Sequence, residues 1–164
     1  VIGALEEAKQ AGKARVIGYS GENEALHYAV ESGRFGAMQA SINICDQRTI
    51  DNILPLAKQN GMGVIAKRPL ANFAWSYKEQ PYGKYAEDYW LRLMKMILHI
   101  DMHEAALRFP AYIWGVDSCI TGTANLDHLK KNVAMISKGK LPDEIIEHVR
   151  NSFRNNDDNW IGLV

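Results

Sequence analysis

Gly12-Lys13-Ala14-Arg15-Val16-Ile17-Gly18-Tyr19-Ser20-Gly21 is the stretch from which the fold is read. Before it, Ile2, Leu5 and Ala8 recur at helical spacing, a pattern that ends at Gly12 because glycine readily takes the left-handed conformation that closes a helix. Lys13 adds a positive charge at that carboxyl end, where the helix dipole favours it. Val16-Ile17-Gly18-Tyr19 is then a short apolar run that reads as a strand ending at Ser20-Gly21. Past Ser20-Gly21, Leu26, Ala29 and Val30 restore the helical period over Glu24 to Glu31. The unit is helix, strand, helix.

The same cycle continues along the chain. Met38-Gln39-Ala40-Ser41-Ile42-Asn43-Ile44 reads as a second strand, and Ile50, Ile53, Leu54 and Ala57 mark the next helical face. Pro55 lacks an N–H and is tolerated only in a first turn, so that helix is expected to start near an Asp51 N-cap. Gly61-Met62-Gly63 stops it, and Val64-Ile65-Ala66 forms a third strand leading into Lys67-Arg68-Pro69-Leu70. Asn72 to Gly83, with Phe73, Trp75, Tyr77 and Tyr82, reads as a long connection that covers a site or packs on the surface. Tyr85 to Ile97 and Met102 to Phe109 are helical in pattern, Val116 to Thr121 is a fourth strand, and Leu126 to Ser137 and Asp143 to Arg154 are closing helices.

Short strands alternating with helices imply parallel pairing through helical crossovers. The fold class expected is therefore α/β, as half of a (β/α)8 TIM barrel, since the chain has 164 residues and a complete barrel needs about 250. Residues 1–164 form a single domain, with 156–164 as its tail. Half a barrel has open strand edges and an uncovered interior. Inward side chains such as Met38 or Ala40, Ile42, and Val64 or Ala66 are expected to face no opposite wall, which predicts a dimer or docking onto a complementary amino-terminal half-barrel.

Nineteen Lys+Arg balance nineteen Asp+Glu for a net charge of zero, so no broad field attracts a nucleic acid or an anionic membrane. Cys45 and Cys119 are too few for a disulfide framework and lack the spacing of a zinc site, which points to reduced thiols and a cytoplasmic location. His99 and His103 stand at i,i+4, but Glu104 lies outside the pair, so no metal site is expected there. No apolar run reaches the length of a membrane span. The chain starts without Met and inside an amphipathic pattern, and reads as an interior segment.

Four blocks carry a family resemblance: Gly12 to Ser20, Met38-Gln39-Ala40, Gly63 to Leu70, and Ile120 to Asn132. In order and spacing they resemble strands five to eight of the aldo-keto reductases, and the resemblance covers nearly the whole chain. It implies that Ser20 and Gln39 hydrogen-bond the carboxamide of a nicotinamide cofactor. Lys67 stands where many relatives place an aromatic ring. It and Arg68, before Pro69 and Leu70, would suit the cofactor's pyrophosphate or 2′-phosphate. Gly122, Thr123, Asn125 and His128 fall in the segment that surrounds the adenosine phosphate in that family, and Asn132 is placed by analogy at the adenine. NADP is expected ahead of NAD.

The family's catalytic tetrad comes from earlier strands, and no tyrosine here matches its general acid, so no catalytic residue is assigned. The function expected is that of the carboxyl-terminal, cofactor-binding half of an NAD(P)H-dependent oxidoreductase acting on carbonyl or alcohol substrates, silent on its own. The alternative is a non-catalytic half-barrel that self-associates or binds a partner. A third reading, a sugar-phosphate site in the last strand's loop, is opposed by Ser20 and Gln39.

Overall fold

The computed structural model describes residues 1–96 and 98–163. Its frame is a parallel sheet in the sequential order β1 (Gly18–Ser20), β2 (Ala37–Ser41), β3 (Gly63–Lys67) and β4 (Ser118–Cys119). The helices are α1 (Ile2–Gln10), α2 (Asn23–Glu31), α3 (Arg48–Asn52), α4 (Leu54–Gln59), α5 (Glu87–Met96), α6 (Met102–Ala111), α7 (Leu126–Ile136) and α8 (Asp143–Asn156), with a 3-10 segment at Ala71–Ser76. Consecutive strands lie side by side with every pair parallel, as in one half of a (β/α)8 barrel.

Local chemistry accounts for most boundaries. Gly12 and Gly61 take φ +71° and +66°, the left-handed conformation read at both helix ends. Gly18 has another purpose: a Cβ there would stand 3.0 Å from the Ala37 carbonyl oxygen, so the close approach of β1 and β2 needs its bare backbone. Pro55 does sit in a first turn, that of α4, but Ile53 precedes that helix. Asp51 lies instead inside the short α3 and pairs with Arg150 of α8 at 2.5 Å. Burial of Tyr89, Arg92, Leu93 and Met96 follows the i, i+3, i+4, i+7 face of α5. The expectation that this helix reaches Ile97 falls outside the described residues, and β4 is shorter than the run from Val116 to Thr121 suggested.

The register decides which side chains lie on which face. Tyr19 pairs with Met38 and Met38 in turn with Val64, while Ala40 pairs with Ala66 and Ala66 with Cys119. Met38, Ala40, Val64 and Ala66 are 0–1% exposed and pack, together with Ile42, against Leu26, Ala29, Val30, Leu54 and Ala57 of the helices. The expectation that they line an uncovered interior is therefore corrected: they belong to the sheet-to-helix core. The opposite face carries Gly18, Ala37 and Gly63 in one row, Ser20, Gln39, Ile65 and Ser118 in the next, and Ser41 with Lys67 in the last. Small and polar residues dominate it, with Ile65 as its large apolar member. A second core lies at the carboxyl edge, where Ile44, Cys45, Leu70, Ala74, Tyr89, Leu93, Leu107 and Phe109 gather under α5 and α6.

Candidate functional site

Ser20 and Gln39 are register partners on the open face, and the Gln39 Nε2 donates to Ser20 Oγ at 3.2 Å. Parallel pairing of β1 and β2 puts the two there, because a shared row in the register is a shared face. With one Oγ lone pair engaged by Gln39, the Ser20 hydroxyl keeps its own hydrogen to donate, and Gln39 keeps its Oε1 to accept. One donor beside one acceptor is the complement of a carboxamide.

The carboxyl edge of β3 is arranged differently. Lys67 reaches Glu22 at 3.1 Å, and the Glu22 side chain is 1% exposed. The same carboxylate accepts from the Ser41 amide at 2.9 Å. Arg68 has φ +53°, a conformation costing a non-glycine residue about 1 kcal/mol or more. Its carbonyl accepts from Asn43 Nδ2 at 3.0 Å, and its guanidinium donates to Ser41 Oγ at 3.1 Å and to the Leu163 carbonyl. Both cations that the sequence offered to a phosphate are thus engaged within the chain. Pro69 and Leu70 are buried and serve as packing around this turn.

Beneath them runs a polar network that sequence reading missed. Asp46, 2% exposed, faces Tyr89 Oη at 3.4 Å, the Leu163 amide at 3.5 Å and Arg92 at 3.9 Å. Burial pushes its carboxyl up to about 7, against the pull of the Arg92 guanidinium. The same burial raises the Tyr89 phenol and the Cys45 thiol well above their ordinary values, and the Cys119 thiol is pushed up to about 11. Neither sulfur is a nucleophile near neutral pH, since the thiolate is the reactive form. In sequence Asp46 and Arg92 look like ordinary surface charges; only the spacing of Arg92 with Tyr89, Leu93 and Met96 hinted at burial.

The last-strand loop is self-capped. Asn125 precedes α7, and its Oδ1 accepts from the Asp127 amide at 2.8 Å, while Thr123 Oγ1 accepts from the Asn125 amide at 3.1 Å. The Asn125 and Asp127 amides thus have local partners, and the first turn carries the anionic Asp127. Gly122, Thr123, Asn125 and His128 are exposed. Asn132 is 7% exposed, and its Oδ1 meets His103 Nε2 at 3.2 Å. His103 is half-buried on α6. Its ring stands edge-on to Phe73 at 5.2 Å, with Trp75 a further 5.1 Å from Phe73. Phe73 is 38% exposed and follows Ala71 and Asn72 in a run of positive φ. Among the described residues no cluster of metal-ligating side chains occurs and no helix is long and apolar enough to cross a membrane.

The sequence model of the Aldo/keto reductase family matches residues 1–152. Among solved structures, the holo form of aldo-keto reductase AKR11C1 from Bacillus halodurans superposes with a TM-score of 0.72 at 25% identity, over 92% of this chain and 54% of that one. Its apo form gives the same score and identity over 55% of its length. The chain thus spans about half the length of these solved relatives, and among curated proteins nothing matches it. A parallel half-barrel with a polar carboxyl edge, matched along nearly its whole length, places this chain in the aldo/keto reductase family.

Proposed function

We propose that this chain is the cofactor-binding half of an NAD(P)H-dependent oxidoreductase acting on a carbonyl or alcohol substrate. The observation that carries the reading is the Ser20–Gln39 pair on the open face, 3.2 Å apart with the Ser20 hydroxyl still able to donate and Gln39 Oε1 still able to accept. That residue set fits the carboxamide of a nicotinamide: Ser20 donates to its oxygen, Gln39 accepts from its nitrogen, and together they fix which ring face is presented. When bound, the nicotinamide supplies the hydride. Asn132 and the exposed side of Phe73 suit the adenine end, an amide for the base edge and an aromatic ring for its face. Lys67 and Arg68 suit the phosphates between, provided their internal partners give way. Gly122, Thr123, Asn125 and His128 border the adenosine phosphate in this reading. NADP stands ahead of NAD.

On its own the segment should be silent. Tyr19 lies on the helix side of the sheet against Phe35, and Tyr89 is fully buried, so neither delivers a proton to a substrate over the open face. Supplying the amino-terminal half of a relative as a separate chain should restore carbonyl reduction. A folded complex that binds cofactor and turns over no aldehyde would defeat the reading. A second reading, a self-associating half-barrel without catalysis, is favoured by α7, which exposes Leu126, Leu129 and Val133 at 64%, 45% and 59%. Titration of the chain with NADPH separates the two, since the second requires no nucleotide binding.

A further inference from the structure

Residues 157–163 cross the carboxyl edge of the sheet, and how they are held suggests what they do. Trp160 anchors the crossing: its ring stands edge-on to Phe153 at 5.5 Å, the Arg92 guanidinium lies 5.3 Å from its centre, and its amide donates to Asp157 at 2.9 Å. Beyond it the contacts are made by backbone. The Ile161 carbonyl accepts from Arg92 at 2.6 Å, Gly162 exchanges two bonds with the Asn23 side chain at 2.7 and 3.0 Å, and the Leu163 carbonyl accepts from Arg68. These partners come from α5, the start of α2 and the turn after β3. The crossing divides a trough. Gly162 walls a hollow of about 350 Å³ beside Glu22, Asn23 and Asp46, and Leu163 walls one of about 270 Å³ beside Arg68, Asn72 and Lys84.

Two features make this crossing replaceable. The acceptor on Arg68 is a single neutral carbonyl, whereas a phosphate offers a guanidinium anionic oxygens that it can bond bidentately. The segment is also only partly buried, with Ile161 67% exposed and Leu163 packed at the margin of the second core. Its fit depends on a bare backbone at one point, because a Cβ on Gly162 would stand 3.0 Å from Glu22 Cβ and 3.1 Å from Asn23 Oδ1.

We propose that residues 159–163 are a removable strap in which the Leu163 carbonyl stands in for an anionic oxygen at Arg68, so that strap docking and phosphate binding in the trough exclude one another. The nucleotide reading above supplies only the identity of the anion, so inorganic pyrophosphate and NADPH are tested in parallel. Calorimetry compares the chain with two variants, truncation after Asp158 and Gly162→Ala, the latter loosening the strap without removing Trp160. Both should bind pyrophosphate on the order of fivefold or more tightly than the parent, the range of a modest coupling between two sites. Adding Arg68→Gln should erase the gain. In the parent, pyrophosphate should speed hydrogen exchange in the peptide spanning 159–163. Equal or weaker pyrophosphate binding by both variants, no binding by any chain, or slowed exchange in the strap would overturn the proposal. If the variants gain affinity for pyrophosphate while no chain binds NADPH, the strap stands and the nucleotide reading falls.

Discussion

The two ends of the carboxyl edge treat their polar groups in opposite ways. At β1 and β2, Ser20 and Gln39 touch each other and retain a free donor and acceptor over an open face. Around β3 and α5, Lys67, Arg68 and Arg92, with Glu22 from the turn before α2 and Asp46 from the connection after β2, are sunk into the chain and engaged by one another or by the tail. The difference lies in charge. A neutral hydroxyl or amide half in water loses little when unpartnered, whereas a buried ion without a partner costs several kcal/mol. The charged end therefore had to be internally satisfied, and the neutral end could stay available.

The largest expected effect breaks the charged end. Arg92→Met leaves Asp46 buried without its cation and should lower stability by about 3 kcal/mol at pH 8. The loss should be smaller at pH 5, where Asp46 is already protonated. Equal losses in thermal unfolding at both pH values would show that Arg92 acts through its carbonyl contacts alone. Asp46 itself gives the second test. Its folded value of about 7 lies above the ordinary 3.8, so the folded chain keeps a proton that the unfolded chain releases between those values. Stability should therefore fall as pH rises through that window and level off above it. Asp46→Asn should flatten the fall, and an unchanged slope in denaturant titrations would place the charge elsewhere.

Lys67→Gln leaves the buried Glu22 carboxylate with the Ser41 amide alone and should cost about 1–3 kcal/mol, measured at pH 7. At the neutral end, Ser20→Ala and Gln39→Ala should change stability by no more than about 0.5 kcal/mol, while weakening binding of reduced nicotinamide mononucleotide. A marked drop in stability would make the pair structural. The smallest effect concerns assembly. The open face proved mostly small and polar, so association should run through α7, and Leu129→Lys with Val133→Lys should abolish it. Sedimentation of the parent as a compact 18.4 kDa monomer at micromolar concentration would remove the expectation.

Much of the fold was legible because its signals are local. Glycines stop α1 and α4, the period changes at Val16 and Val64, and the order of elements permits little besides parallel pairing. Ser20 and Gln39 were found through resemblance, and register then explained their meeting. Other features depend on contacts distant in sequence. Period alone could not say which face of β2 and β3 meets the helices, since an apolar run is ambiguous by one residue. Asp46 and Arg92, 46 residues apart, and Asn132 and His103 carry no sequence pattern that joins them.

By itself, then, the sequence determined the parallel α/β succession, the family and the residue types at the carboxyl edge, all of which follow from local periods and motif spacing. Only the tertiary structure decided that Lys67 and Arg68 are already partnered, that Asp46 is buried beside Arg92, and that residues 157–163 lie across the trough. Each of these depends on which groups desolvation forces together, and that is a property of the packed chain.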